Sequence, residues 1–274
     1  MAAGRVIVTG ADAAYHRYLM RALRSVRAHE EGRRIALAVL DLGLEPAQRD
    51  EAAALVDTIV EPGWDYELPD RNALPSHWRA YTARPHLPRH VPGYDLYMWL
   101  DADAWVQRWD AVEEFFAAST GGAVAIVPEV HPAYRNQHHA RGEFEGVIRA
   151  AFASAFGDAV AERLYRRPHL NTGAFALRAD APHWQVWSDT LGRALLPSPA
   201  GHGSRERLAE QCAMNLIVYD DGLPANFLPP RCNWICHHAA PHKDDATGLL
   251  TEPTAPYAPL GLVHETMWSK DSAL

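Results

Sequence analysis

Residues 97–106 read Tyr-Met-Trp-Leu-Asp-Ala-Asp-Ala-Trp-Val. Four apolar residues run into two carboxylates one residue apart, and apolar chain resumes at once. A continuous apolar run bounded by polar residues is the pattern of a strand buried in a parallel sheet. Ligands in parallel α/β folds gather at the carboxyl ends of the strands, where Asp101 and Asp103 stand. If the chain stays extended past Leu100, alternation puts Asp101 and Asp103 on one side and Ala102 on the other. Two convergent carboxylates form a hard-oxygen site for Mn2+ or Mg2+, and such a metal stabilises a diphosphate as a leaving group. The competing reading is a solvated turn, since Asp is common in turns. Against it, Ala104-Trp105-Val106 is too apolar for a solvated acidic loop.

The rest of the chain agrees with a mostly parallel α/β sheet. Residues 5–9 read as a first strand, and Asp12 is placed to cap the helix that follows. Tyr15, Leu19, Ala22, Leu23 and Val26 give that helix one apolar face. Residues 35–40 are a second strand, Pro46 starts a helix, and 58–60 form a short third strand. Strand–helix–strand–helix–strand order implies right-handed crossovers. A Pro-rich stretch over 61–92 holds a short helix near 78–84. Strands follow at 95–100 and 123–127, then a His-rich loop over 130–141 and a helix over 143–165. Residues 170–177 read as a strand, and 182–195 and 206–219 as helices. From Gly222 onward prolines are dense and no order is assigned.

The chain has 274 residues, 48% hydrophobic and 22% charged, an ordinary globular balance. A formal net charge of −8 argues against a broad basic face for nucleic acid or anionic lipid. Positive charge is nearly all Arg; the lysines are Lys243 and Lys270. Three cysteines are too few for a disulfide scaffold and fit a reducing compartment. No apolar run approaches the roughly 20 residues that span a bilayer, and the N-terminus lacks a signal-peptide pattern. A cytoplasmic protein is the expectation.

Several constellations could carry chemistry. Thr9-Gly10-Ala11 ahead of a helix start lets a ligand approach the backbone, and a helix N-terminus favours anions. Tyr15 either stacks on a nucleobase or is core, with core the more common outcome for such a residue. Asn171-Thr172-Gly173 opens a strand with small polar residues, and Gly173 would admit a sugar; an ordinary turn reads the same way. Gln211 and Asn215 share a helix face, suiting hydroxyl recognition or merely a wet edge. His264 with two carboxylates is a reasonable Mn2+ set, and Lys270 could neutralise a phosphate. Cys232, Cys236, His237, His238 and His242 have the composition of a zinc site without its usual paired spacing.

The order of these motifs resembles the GT-A glycosyltransferases, especially the family-eight type that includes glycogenin and bacterial galactosyltransferases. The resemblance takes in the segment from Thr9 to Tyr15, Arg84, Leu100-Asp101-Ala102-Asp103, Asn171-Thr172-Gly173, Glu210-Gln211 and His264 with Lys270. It implies one GT-A domain, an α/β/α sandwich with a nucleotide-binding part over about 1–105 and an acceptor part over about 106–274. It further implies that Thr9, Ala11 and Tyr15 hold the nucleoside, with Asp101 and Ala102 also against the donor. Asp101, Asp103 and His264 would bind Mn2+ (or Mg2+), and Lys270 would contact the diphosphate. Asn171 and Gly173 would line the sugar or acceptor site. Glu210 and Gln211 would lie near the anomeric carbon, and Arg84 would face the diphosphate or donor sugar. Two departures stand out: Glu210 replaces the family's usual Asp, and the segment from His264 to Lys270 lacks the usual Gly and terminal Pro.

The expected activity is therefore transfer of a sugar from a nucleotide sugar, a UDP-sugar by resemblance, to an acceptor hydroxyl with retention of configuration. The expected partners are that donor and an acceptor, with self-association left open. Two rivals remain: an inactivated sugar-nucleotide-binding relative, and a phosphohydrolase using Asp101 as nucleophile. The second prefers its D-x-D on the first strand.

Overall fold

The computed structural model describes residues 4–138, 141–196, 203–204 and 207–271. In chain order the strands are β1 (Arg5–Ala11), β2 (Ala36–Asp41), β3 (Thr58–Val60), β4 (Leu96–Leu100), β5 (Ala104–Val106), β6 (Val124–Pro128), β7 (Leu170–Arg178), β8 (Ala225–Phe227), β9 (Trp234–Ile235), β10 (His242–Lys243), β11 (Leu250–Thr251) and β12 (Leu262–His264). The helices are α1 (His16–Ala28), α2 (Pro46–Ala53), α3 (Trp78–Ala83), α4 (Leu87–His90), α5 (Trp109–Ser119), α6 (Arg141–Phe156), α7 (Asp158–Leu164), α8 (His183–Leu195) and α9 (Ala209–Tyr219). None is long and apolar enough to cross a membrane.

Seven strands form the main sheet in the order β3-β2-β1-β4-β7-β6-β8. All are parallel except β7, which runs antiparallel to both β4 and β6. Period-two alternation divides the core into two layers. Val6, Val8, Tyr97 and Trp99 face the cluster built with Trp184, Trp187 and Met214 of α8 and α9. Ile7, Met98 and Leu100 face Leu19 and Leu23 of α1 and Phe115 of α5. Every residue of β4 is buried, which is why its sequence is apolar throughout rather than alternating.

The reversal of β7 matters most for function. Leu100 pairs with Ala174, so the start of β7 projects past the end of β4 and runs beside Asp101. A second small sheet, β5-β12-β9, lies across the same edge. His264 pairs with Ala104 on one side and Ile235 on the other.

Three expectations change. The helix read over 143–165 is two helices, because Gly157 at φ 86° breaks it. The late helix starts at Ala209, and residue 206 of the reading lies outside the described residues. The chain also does not stay extended after Leu100: Ala104 N–H donates to Asp101 O at 2.9 Å, a tight turn. Both aspartates reach one place through that turn, not through strand alternation.

Candidate metal and nucleotide site

The turn after β4 presents Asp101 and Asp103 to His264, and ligand atoms of the three lie within 4.8 Å of one another. Among the described residues this is the one such group of His, Cys, Asp and Glu side chains. His264 Nε2 stands 3.2 Å from Asp103 Oδ1 and 3.8 Å from Asp101 Oδ2. Two hard oxygens and an imidazole nitrogen, converging from two separate strands, fit a Mn2+-type cation.

Backbone contacts hold the site. Asp101 N–H donates to Gly173 O at 2.7 Å, and Glu265 N–H donates to Asp103 O at 3.0 Å. Trp99 Nε1–H donates to Asp101 Oδ1 at 2.7 Å. Gly173 is required here, since a Cβ at that position would stand 2.8 Å from Asp101 Oδ2.

Positive charge surrounds the carboxylates. Lys270 Nζ is 2.7 Å from Asp103 Oδ2, donates to the Tyr15 hydroxyl and lies 4.3 Å from the Tyr15 ring centroid. Burial alone would raise the Asp103 carboxyl, but His264 and Lys270 hold it well below the ordinary range. Burial would likewise lower His264, yet Asp103 wins and raises it.

Arg84, at the end of α3, is buried and bonds two carboxylates, Asp101 on one side and Glu210 Oε2 at 2.8 Å on the other. It also stacks on Trp99, 5.0 Å from guanidinium to ring centroid. Glu210 Oε2 accepts Thr172 Oγ1–H at 3.0 Å, while Glu210 Oε1 is buried without a partner among the described residues. One guanidinium shared by two carboxylates leaves Glu210 under-compensated, and burial pushes it up to about 7.

The other expected residues fall as follows. Tyr15 is 36% exposed rather than core, in a turn where the Asp12 side chain accepts the Tyr15 N–H. Thr9 and Ala11 are buried at the end of β1, and the Thr9 hydroxyl has no partner among the described residues. Ala102, buried, is the crown of the turn. Gln211 Oε1 accepts from Thr172 N–H at 3.1 Å and shares the Thr172 hydroxyl proton, at 3.1 Å, with Glu210 Oε2. Asn215, read as a hydroxyl-recognition amide, is instead tied to the backbone of Leu170 through both ends, at 2.9 and 3.0 Å. That pairing anchors the start of β7 on α9.

The Cys/His cluster does not converge. Cys232 Sγ faces Glu114, Cys236 Sγ faces the Trp234 carbonyl, His238 pairs with Glu129 and His242 lies on exposed β10. Sequence reasoning missed Glu129 and Asn233, which with His238 form a buried polar group behind the site. Glu129 had a signal, a carboxylate just past an apolar strand, as at Asp101. Asn233 had none, since it reaches the site only through the small sheet.

No family profile and no curated protein matches the chain. Solved structures are similar to it, among them these three. One is the galactosyltransferase LgtC in complex with donor and acceptor sugar analogues, at 16% identity, covering 94% of this chain and 86% of that one, TM-score 0.55. Another is mouse xyloside xylosyltransferase 1, at 14% identity, covering 96% and 97%, TM-score 0.53. A third is core-mannan synthase A from Aspergillus fumigatus in a Mn/GDP form, at 8% identity, covering 84% and 73%, TM-score 0.52. At these identities the likeness is one of architecture: the chain has the GT-A fold that these glycosyltransferases share.

Proposed function

We propose that this chain is a metal-dependent glycosyltransferase that moves a sugar from a nucleotide-sugar donor to an acceptor hydroxyl. The observation that carries the reading is the meeting of Asp101, Asp103 and His264 at the carboxyl edge of the sheet, linked through Arg84 to Glu210. The fold and the Mn/GDP and donor-analogue complexes among its structural relatives support it.

Asp101, Asp103 and His264 would hold Mn2+ or Mg2+, which when bound neutralises charge on a departing diphosphate. Lys270, beside Asp103 and Tyr15, adds a fixed ammonium where that charge develops. Tyr15, half-exposed next to Lys270, offers a ring face for the nucleobase, which we take as uracil, while Thr9, Ala11 and Ala102 form the backbone floor beside it. Arg84 holds Asp101 and Glu210 in place through hydrogen bonds to both. Glu210 Oε1, buried and unpartnered among the described residues, is an acceptor awaiting a donor-sugar hydroxyl or the positive charge of an oxocarbenium-like transition state. Gln211, Asn171 and Gly173 line the sugar and acceptor side. Retention of configuration is part of the proposal.

The test is a thermal-shift screen of nucleoside diphosphates and nucleotide sugars with Mn2+ and with chelator, followed by assay of donor hydrolysis. A Mn2+-dependent shift by one nucleotide series and release of its diphosphate is the expected result. No shift by any member, with or without metal, overturns the reading.

A further inference from the structure

His264 is joined to Glu129 by two buried amides. His264 Nδ1 lies 3.1 Å from Asn233 Oδ1. Asn233 Nδ2 donates to Asn171 Oδ1 at 3.0 Å, and Asn171 Nδ2 donates to Glu129 Oε1 at 2.7 Å. Glu129 Oε2 in turn is 3.1 Å from His238 Nε2. Asn171, Asn233, Glu129 and His264 are all buried.

The donor–acceptor sense of this chain is dictated from both ends. Gly173 N–H can only donate, and it donates to the Asn171 atom 2.9 Å away, so that atom is the carbonyl oxygen. At the other end the Glu129 carboxylate, which His238 helps hold ionised at about 2 against burial, can only accept. The Asn171 atom facing it is therefore the amide nitrogen. With Asn171 so oriented, the Asn233 atom facing Asn171 Oδ1 must be the NH2, and its oxygen faces His264. An oxygen there requires a proton on His264 Nδ1. The lone pair of the neutral ring then sits on Nε2, the nitrogen turned toward Asp103 and Asp101.

We propose that Asn233 is a positioning residue that fixes the Nδ1–H tautomer and ring plane of His264, so that Nε2 is presented as a metal ligand. Asn171 and Glu129 act through it as the anchored far end. Metal-ligating His residues commonly have their second nitrogen held in this way. The inference rests on the metal reading of the site above, and it assigns a role to a residue that touches neither metal nor donor.

The test uses Mn2+ alone, titrated into the full chain, with free Mn2+ read by electron paramagnetic resonance and the melting temperature of each variant recorded. Asn233→Leu matches the side chain in size and removes the acceptor; Mn2+ should bind about 10–100-fold more weakly. Asn233→Asp keeps an oxygen acceptor facing Nδ1. It should bind within about threefold of the wild type. Unchanged affinity in folded Asn233→Leu overturns the proposal, and so does an equal loss in both variants, which would make residue 233 a packing position. A second measurement needs no variant. Long-range proton–nitrogen correlations of the metal-free wild type, at a pH where the ring is neutral, should place the His264 proton on Nδ1; a proton on Nε2 overturns the proposal. If the wild type binds no Mn2+, the metal reading fails, while the correlation spectrum still decides the tautomer.

Discussion

Gly173 lies against the face of His264: a Cβ on residue 173 would stand 2.3 Å from His264 Cε1. That distance is far inside van der Waals contact, so no side chain fits between β7 and β12. The third ligand can reach the aspartates only because residue 173 has none. Gly173→Ala should push His264 off the carboxylates and weaken Mn2+ binding at least about tenfold, with about 1–3 kcal/mol of overpacking strain in the fold. Calorimetric Mn2+ titration with a parallel thermal melt reads both, and undiminished Mn2+ affinity would refute the close-approach argument.

Asp103 is shared by His264 and Lys270. Asp103→Asn preserves its shape and removes its charge. Donor hydrolysis should fall at least about a hundredfold, equivalent to about 2.7 kcal/mol of barrier. Chelator should do the same to the wild type, and Mn2+ should restore it. Full turnover in chelator would sink the metal role.

Glu210 should show itself in turnover. Its Oε2 is engaged by Arg84 and Thr172 and its Oε1 has no partner among the described residues. A contact that strengthens in the transition state appears in kcat more than in KM. Glu210→Gln should lower kcat more than about tenfold, roughly 1.4 kcal/mol, with donor KM little changed. Glu210→Asp should retain more activity. A kcat unaltered in Glu210→Gln would leave this residue a structural partner of Arg84.

Tyr15 is half-exposed, so its truncation should spare the fold. Tyr15→Ala should weaken nucleotide binding by about 1–3 kcal/mol, the range for a base stacked on an aromatic ring. The reverse pattern, a lower melting temperature with intact affinity, would remove Tyr15 from the base pocket.

Glu129 and Glu210 should tilt stability in opposite senses with pH. Burial would raise Glu129, but His238 and Asn171 hold it at about 2, below its ordinary 4.5. The unfolded chain then takes up its proton first, so the stability that ionised Glu129 contributes is present above pH 4.5 and is lost as pH falls toward 2. Glu210 is raised from 4.5 to about 7 by burial. There the folded chain holds the proton longer, so stability falls as pH rises through 4.5 to 7 and levels off above. Melting temperatures against pH should therefore show Glu210→Gln gaining on the wild type across that second window and Glu129→Gln losing its deficit in acid. A Glu210→Gln difference that is flat between those two values would contradict the raised carboxyl.

Much of the frame was legible from local pattern. The apolar run of β4, the alternation of strands and helices over the first 60 residues, and the Asp12 cap all follow from periodicity and side-chain chemistry that act over a few residues. Asp101 and Asp103 could be singled out for the same reason: carboxylates directly after a buried strand have few structural uses. The break at Gly157 was less visible, because helical periodicity continues on both sides of it and only the φ of one residue separates α6 from α7.

Which groups meet was decided by tertiary structure. His264 is 161 positions from Asp103 and touches it because β12 pairs antiparallel with β5. Arg84 and Glu210 meet across 126 positions because α3 and α9 pack on the same sheet face. Asn215, on the same helix as Gln211, was turned to the backbone of Leu170 by the reversal of β7. Asn233 had no signature, since an Asn in a loop reads as a turn residue until β9 lies beside β12. The sequence by itself determined the layers, the buried strand and the types of ligand available, because burial and periodicity are local. Only the folded chain decided which of those groups converge, because convergence depends on strand direction and register between segments far apart in sequence.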